Sequence, residues 1–313
     1  MHKRHVLIFV LSISAVLICG FSGIYHSATE FTWHSLLRYF SGQVLPFLCA
    51  IASGAILSVM LLRCIGMTSN RNNVICCGFI IAAITPLNIP FWLAVLATSG
   101  GFIFSRVAFR AGGITHSLNA AVSARLIVFF FRLPHSVQWL SQAGADGWSG
   151  ATPLQARKIC QAMQHPCVAY PLSGLFTGQW SGAPGEVSKA AIIVAAIVLL
   201  LSGLIRLSPV LWGMLGFCLV WFTCQGGGAD TLLQQLLMGS FLFALVFMLR
   251  NHFTGQLPAG YQCAHAFMYG ALCVLFRIYG PFAEGTLLSL VVAQLMTGIL
   301  LICHRHIMRV TGP

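Results

Sequence analysis

Residues 188–224 read SKAAIIVAAIVLLLSGLIRLSPVLWGMLGFCLVWFTC, and their only charged side chains are Lys189 and Arg206. Two apolar runs, 188–205 and 209–224, flank a short turn at Arg206. Each run approaches the length of about 20 residues with which an α-helix crosses the hydrocarbon layer of a membrane. The stretch therefore predicts two consecutive transmembrane helices.

The rest of the chain has the same apolar character. Of its 313 residues, 58% are hydrophobic and 7% are charged, with a mean hydropathy of +0.87. Soluble domains carry about 25% charged residues, so the composition excludes a soluble globular protein. The net charge of +12 comes from basic residues spread one or two to a loop. This spacing indicates contact with a lipid bilayer and argues against a nucleic-acid-binding surface.

Apolar segments of spanning or near-spanning length recur along the whole chain. They are 6–24, 44–62, 74–85, 91–106, 118–133, 188–205, 209–224, 231–249, 263–279 and 284–303. We therefore predict an all-α polytopic membrane protein of about ten transmembrane helices. Its single membrane domain, 1–313, has helices over 6–133 and 188–303 and a long loop over 134–187. The third and fifth segments are short, which is typical of half-helices that line a site within the membrane.

The distribution of charge predicts the orientation. If the N-terminus is cytoplasmic, most Lys and Arg side chains fall inside, and all five acidic side chains fall outside. An excess of Lys and Arg marks the cytoplasmic side. We therefore expect both termini in the cytoplasm and loop 134–187 outside. Ten helices divide into two sets of five, and a repeat with an odd number of helices must be inverted in the membrane. The number of helices is the only basis for predicting this inverted repeat.

The outer loop contains DGWSGATPL at residues 146–154. Thr152 followed by Pro153 predicts a helix start, because Thr is an acceptable N-cap and Pro suits the first helical position. One interpretation is that the motif is only a turn and a cap. The other is that the helix N-terminus favours a phosphate ester on Thr152, with Arg157 and Lys158 one turn away. Local chemistry leaves both open.

A resemblance favours the second interpretation. Asp146, Ser149, Gly150, Ala151 and Thr152 form a pattern that resembles the signature recognised by bacterial flavin transferases. That enzyme joins FMN through its phosphate to the threonine hydroxyl. The form SGATPL is similar to that of one membrane-protein family, which includes the D subunit of the Rnf electron transport complex and the B subunit of the sodium-pumping NADH:quinone reductase.

Further stretches carry the same resemblance in the same order. They are NNVICCGFIIAAITPLNIPFW (72–92), GGITHSLNAA (112–121), GEVS (185–188) and LFRIYGPFAEG (275–285). Two motifs depart from the family pattern. Its Asn-Pro-Ala is Asn119-Ala120-Ala121 here, and its Thr-Asp-Pro is Arg250-Asn251-His252. The chain therefore resembles a divergent member of the family.

The resemblance implies both a fold and a function. It implies a ten-helix inverted repeat in the bacterial inner membrane, with the flavin loop in the periplasm. It implies FMN bound covalently to Thr152, a flavin transferase for maturation, and partners from an ion-translocating redox complex. The chain would be a redox subunit of a translocase rather than a self-contained enzyme, and a second, noncovalent flavin is left open. The alternative is a multi-pass transporter, or a structural membrane subunit with a vestigial flavin motif.

Two other charged residues are candidates for the site. Arg125 lies inside the fifth segment, where it either faces the flavin cavity or reaches the membrane interface. Glu186 begins the sixth helix, where it either interacts with the helix N-terminus or shapes the flavin site. The histidines and cysteines show no metal-ligand spacing, so no metal site is expected.

Overall fold

The computed structural model describes residues 3–28, 32–67, 70–106, 109–111, 114–116, 119–131, 152–165, 170–225, 229–249, 257–280 and 284–311. Four residues of the predicted flavin signature, Asp146, Ser149, Gly150 and Ala151, lie outside these ranges. The divergent tripeptide at 250–252 also lies outside them.

The described residues are helical apart from one short ribbon. The helices are α1 (Lys3–Ala28), α2 (Trp33–Tyr39), α3 (Leu45–Cys64), α4 (Arg71–Ile84), α5 (Phe91–Arg106), α6 (Ala120–Phe130), α7 (Pro153–Ala162), α8 (Leu172–Thr177), α9 (Pro184–Val187), α10 (Lys189–Leu201), α11 (Leu207–Gln225), α12 (Ala229–Leu237), α13 (Phe241–Phe243), α14 (Ala259–Tyr279) and α15 (Thr286–Thr311). A π-helical turn, Phe40–Val44, joins α2 to α3, and another, Ala244–Met248, extends α13. Strands β1 (Phe109–Ala111) and β2 (Ile114–His116) pair antiparallel.

Each predicted segment contains a helix, but the helices differ in length. Among the described residues, four helical stretches are long and apolar enough to cross a membrane: Lys3–Tyr25, Trp33–Cys64, Leu207–Gln225 and Thr286–His304. The bent pair Thr231–Leu237 and Phe241–Met248 is a fifth candidate. Helices α4, α5, α6 and α10 are apolar but shorter. The chain is thus a multi-pass helical membrane protein, while the ten-span count and the inverted repeat stay predictions.

The eighth predicted segment is broken. Its two halves bend by 61° between α12 and α13. Gly239 has a φ of +68° at the break, a conformation that side-chain-bearing residues rarely adopt. The polar groups that the break frees are bonded by charged side chains. Glu284 accepts a hydrogen bond from the Ser240 N–H at 2.8 Å, and Arg277 donates to the Met238 carbonyl at 3.1 Å. Backbone groups inside a membrane need such internal partners.

Small residues bring α11 and α14 into close contact beside the break. A Cβ atom on Gly270 would lie 2.0 Å from the Gly213 carbonyl oxygen, so glycine is required at this crossing. Small residues are the common means by which membrane helices approach closely. Phe241, just after the break, stacks on Tyr269 of α14 with ring centroids 5.4 Å apart. The α11–α14 pair therefore supports the bent segment from one side.

Candidate functional site

Thr152 caps α7, as its sequence predicts. Its Oγ1 accepts a hydrogen bond from the Gln155 N–H at 3.3 Å, and Pro153 is the first helical residue. Leu154, next in the helix, is buried in a small cluster with Leu175 and Met238. The N-terminus of α7 is therefore docked against the residues that precede the break.

The two basic residues of α7 bind to other helices. Arg157 donates to the Gln234 side-chain oxygen at 3.1 Å. Lys158 donates to the carbonyl oxygens of Gly280 and, at 3.4 Å, of Arg277. Desolvation lowers the pKa of the Lys158 ammonium. These contacts tie α7 to α12 and α14, which the sequence did not indicate.

Thr152 lines a small open cleft. Trp180, Glu186, Lys189 and Gly239 also line this cleft. The Trp180 indole packs edge-on against Tyr170 at 4.8 Å between ring centroids. Its buried Nε1–H has no hydrogen-bond acceptor among the described residues. The cleft is therefore lined by a threonine, a glutamate and a lysine.

Lys189 is the cation of the cleft, and it is 2% exposed. Its Nζ donates to the Gly239 carbonyl oxygen at 2.9 Å and to the Glu186 carbonyl oxygen. Lys189 therefore connects the start of α10 to the break that follows α12. The signal for it in the sequence is a charged side chain within an apolar run, which is rare in membrane segments and commonly functional.

Glu186 lies beside Lys189 in the short helix α9. It is 6% exposed, and its Oε1 accepts a hydrogen bond from the Ala183 N–H at 2.9 Å. Burial raises the pKa of the Glu186 carboxyl, the Glu284 carboxylate raises it further, and Lys189 lowers it. Glu186 bonds at a helix start and also lines the cleft, and its part in a flavin site stays a prediction.

A second small cavity lies on the other side of Glu186. Arg125, Ser240 and Glu284 line it together with apolar side chains. Arg125 is half-buried and interacts electrostatically with both carboxylates. The structure thus places Arg125 in this inner cavity, next to the cleft of Thr152 but not among its lining residues.

Asn119 shows how one divergent motif still begins a helix. Its Oδ1 accepts a hydrogen bond from the Ala121 N–H at 3.0 Å, so it caps α6 without the proline of the family pattern. Its Nδ2 donates to the Met248 carbonyl at 3.1 Å. Asn119 therefore links α6 to the second half of the bent segment.

Comparison with known proteins identifies the family. The NQR2, RnfD, RnfE family matches residues 6–306. The B subunit of the Na(+)-translocating NADH-quinone reductase of Klebsiella pneumoniae (strain 342) is 27% identical over 230 residues, covering 70% of this chain and 56% of that protein. The same subunit of Chromohalobacter salexigens is 29% identical over 227 residues, covering 68% of this chain and 54% of that protein. The chain spans a little over half the length of these relatives.

The family match extends over nearly the whole described membrane domain. The moderate identities agree with the departures at 119–121 and 250–252. The chain is a divergent member of the NQR2, RnfD, RnfE family.

Proposed function

We propose that this chain is a membrane subunit of an ion-translocating electron-transport complex and relays electrons through FMN esterified to Thr152. Membership of the family and the names of the reductase relatives support the coarser part of this proposal. The observation that carries the finer part is the position of Thr152. Its hydroxyl lies at the N-terminus of a docked helix and opens onto a cleft.

The residues around Thr152 suit the phosphate end of FMN. The helix N-terminus offers backbone N–H groups and a partial positive charge, which favour an anion. Thr152 itself is half-buried and lines the cleft. The backbone donors at this helix N-terminus therefore suit a phosphoester on Thr152.

When bound, FMN supplies reversible electron transfer, which protein side chains do not provide. The chain's own residues fix where that chemistry takes place. Thr152 holds the ester, and the buried Leu154 docks the start of α7. Arg157 and Lys158 tie the same helix to α12 and α14. A rigid support of this kind keeps electron-transfer distances constant.

The proposal includes a location and partners. The bacterial reductase relatives support an inner-membrane location, and the charge distribution supports cytoplasmic termini with Thr152 in the periplasm. A flavin transferase attaches the FMN. The sequence contains no nucleotide-binding motif and no iron–sulfur ligand spacing, so other subunits of the complex deliver and remove the electrons.

Covalent flavin on a denaturing gel tests the proposal. The chain is expressed with a bacterial flavin transferase, and flavin fluorescence of the denatured band is recorded. We expect a fluorescent wild-type band and a dark Thr152→Asn band. Asparagine caps helices at least as well as threonine, so α7 keeps its start while the ester-forming hydroxyl is lost.

Thr177→Ala is the matched control. Thr177 is an exposed threonine of α8 whose hydroxyl donates to the Ser173 carbonyl at 2.9 Å. This variant should fluoresce as strongly as the wild type. A dark wild-type band, or a fluorescent Thr152→Asn band, would overturn the proposal.

The second candidate is a multi-pass transporter, or a structural subunit with a vestigial flavin motif. The bent pair of helices favours it, because broken helices with charged residues at the break are typical of transporter binding sites. Reconstitution of the purified chain into proteoliposomes separates the candidates. Solute uptake by the isolated chain, together with a dark gel band, would support the transporter.

A further inference from the structure

Two buried cations bond the carbonyl groups at the end of α12, where the chain bends before α13. Arg277 donates to the carbonyl oxygens of Gln235 and Met238. Lys189 donates to that of Gly239 at 2.9 Å. The C-terminal end of a helix carries a partial negative charge, and its last carbonyl groups have no partners within the helix. The end of α12 is therefore a position that favours a cation.

The Lys189 ammonium joins two separate segments of the backbone. Besides Gly239 in the break, its Nζ bonds the carbonyl oxygen of Glu186 in α9. The carboxylates of Glu186 and Glu284 also attract it electrostatically. In broken membrane helices, carbonyl groups of unwound backbone and of half-helix ends are the groups that coordinate Na⁺. Lys189 thus occupies surroundings typical of a bound monovalent cation.

The cleft beside Thr152 leads to this position. Lys189, Glu186 and Gly239 all line the cleft. Lys189 is nevertheless 2% exposed, so its side chain fills the space next to the two carbonyl oxygens. Truncation of this side chain would leave both carbonyl groups without the ammonium. A buried polar group needs another partner, and a small cation that enters through the cleft can supply one.

We propose that Lys189 is a tethered cation that takes the place of a bound monovalent ion at the break between α12 and α13. In broken-helix transporters the coupling ion binds at unwound backbone of this kind and is released again. A lysine side chain cannot be released, so this position keeps its cation permanently. The bend then needs no dissolved cation, and truncation of Lys189 creates a site for one. The inference does not depend on flavin at Thr152.

Thermal unfolding with and without Na⁺ tests the inference. The chain is purified without a flavin transferase and heated in NaCl or in choline chloride at equal ionic strength, so that charge screening is the same. In choline chloride, Lys189→Ala should melt below the wild type, because two buried carbonyl groups lose their donor. Na⁺ should raise the melting temperature of this variant by about 2–4 °C more than that of the wild type. Lys189→Ser adds a hydroxyl oxygen as a ligand and should show at least the same shift.

Lys158→Ala is the matched control. Lys158 also donates to carbonyl oxygens at a helix end, those of Arg277 and Gly280, but it is only half-buried. Water can replace its ammonium there, so Na⁺ should shift this variant no more than the wild type. Binding of radioactive Na⁺ to the purified chains is a second measure. We expect one more bound ion per chain in Lys189→Ala than in the wild type.

An equal Na⁺ shift in the wild type, Lys189→Ala and Lys189→Ser would overturn the inference. The same holds if neither Lys189 variant binds an additional ion. If the variants unfold during purification in choline chloride, purification in NaCl should recover them. Failure of both variants in both salts would mean that a dissolved cation cannot replace the ammonium, and it would overturn the inference as well.

Discussion

At the residue scale, Glu284 stabilises the bend between the two halves of the eighth segment. Its Oε1 accepts hydrogen bonds from both the backbone N–H and the hydroxyl of Ser240. Ser240 is buried, so these donors have no water to replace the carboxylate. Glu284 also lines the inner cavity with Arg125, which joins the bend to α6. A single carboxylate thus sets the start of α13 and part of the charge balance of the site.

Removing this carboxylate should destabilise the protein. In Glu284→Ala the Ser240 donors lose their acceptor, which costs about 1–3 kcal/mol for each buried group left unbonded. Glu284→Gln keeps an acceptor oxygen and should lose less. Thermal unfolding of the detergent-solubilised chain measures both variants. Equal melting temperatures for Glu284→Ala and the wild type would show that the bend does not depend on Glu284.

The sequence predicted the structural role of a single residue only where that role depends on neighbouring residues in the chain. The cap on α7 followed from Thr152 and Pro153, because N-capping depends on adjacent residues. The roles of Lys189 and Glu284 did not follow, because their partners at Gly239 and Ser240 are distant in sequence. A charge in an apolar run indicates that a partner exists, but the fold determines which one.

At the scale of elements, the contact between α11 and α14 should be the least tolerant of added volume. A Cβ on Gly270 would lie 2.0 Å from the Gly213 oxygen, so the helices must separate to admit it. We expect Gly270→Ala to destabilise the chain by about 1–3 kcal/mol, the usual range for overpacking. Gly260→Ala is the matched control in the same helix, because its added Cβ meets nothing within 4 Å. Thermal unfolding distinguishes them, and equal stability of the two variants would contradict the predicted tight crossing.

The break in the eighth segment could not be foreseen from hydropathy. Residues 231–249 form one apolar run of spanning length, and this pattern predicts one straight helix. The 61° bend is stabilised by Lys189 of α10, Arg277 of α14 and Glu284, just before α15. The short helices α4 and α6 correspond to the third and fifth predicted segments, whose apolar runs are themselves short.

At the scale of the whole molecule, the proposed function requires Thr152 and the chain termini on opposite sides of the membrane. Alkaline phosphatase fused after His165 should be active, because that residue belongs to the predicted periplasmic loop. The same enzyme fused after Gly66 should be inactive, since the second predicted segment returns the chain to the cytoplasm. The reverse pattern of activity would refute the orientation.

The proposed electron relay depends above all on FMN at Thr152. Mass spectrometry of the tryptic peptide 133–157, which contains Thr152 and ends at Arg157, detects that attachment at the residue itself. The chain is purified after expression with a bacterial flavin transferase. We expect this peptide to gain the mass of one FMN less one water, and fragmentation to place the addition on Thr152. An unmodified peptide, or a flavin on another residue, would contradict the proposed function.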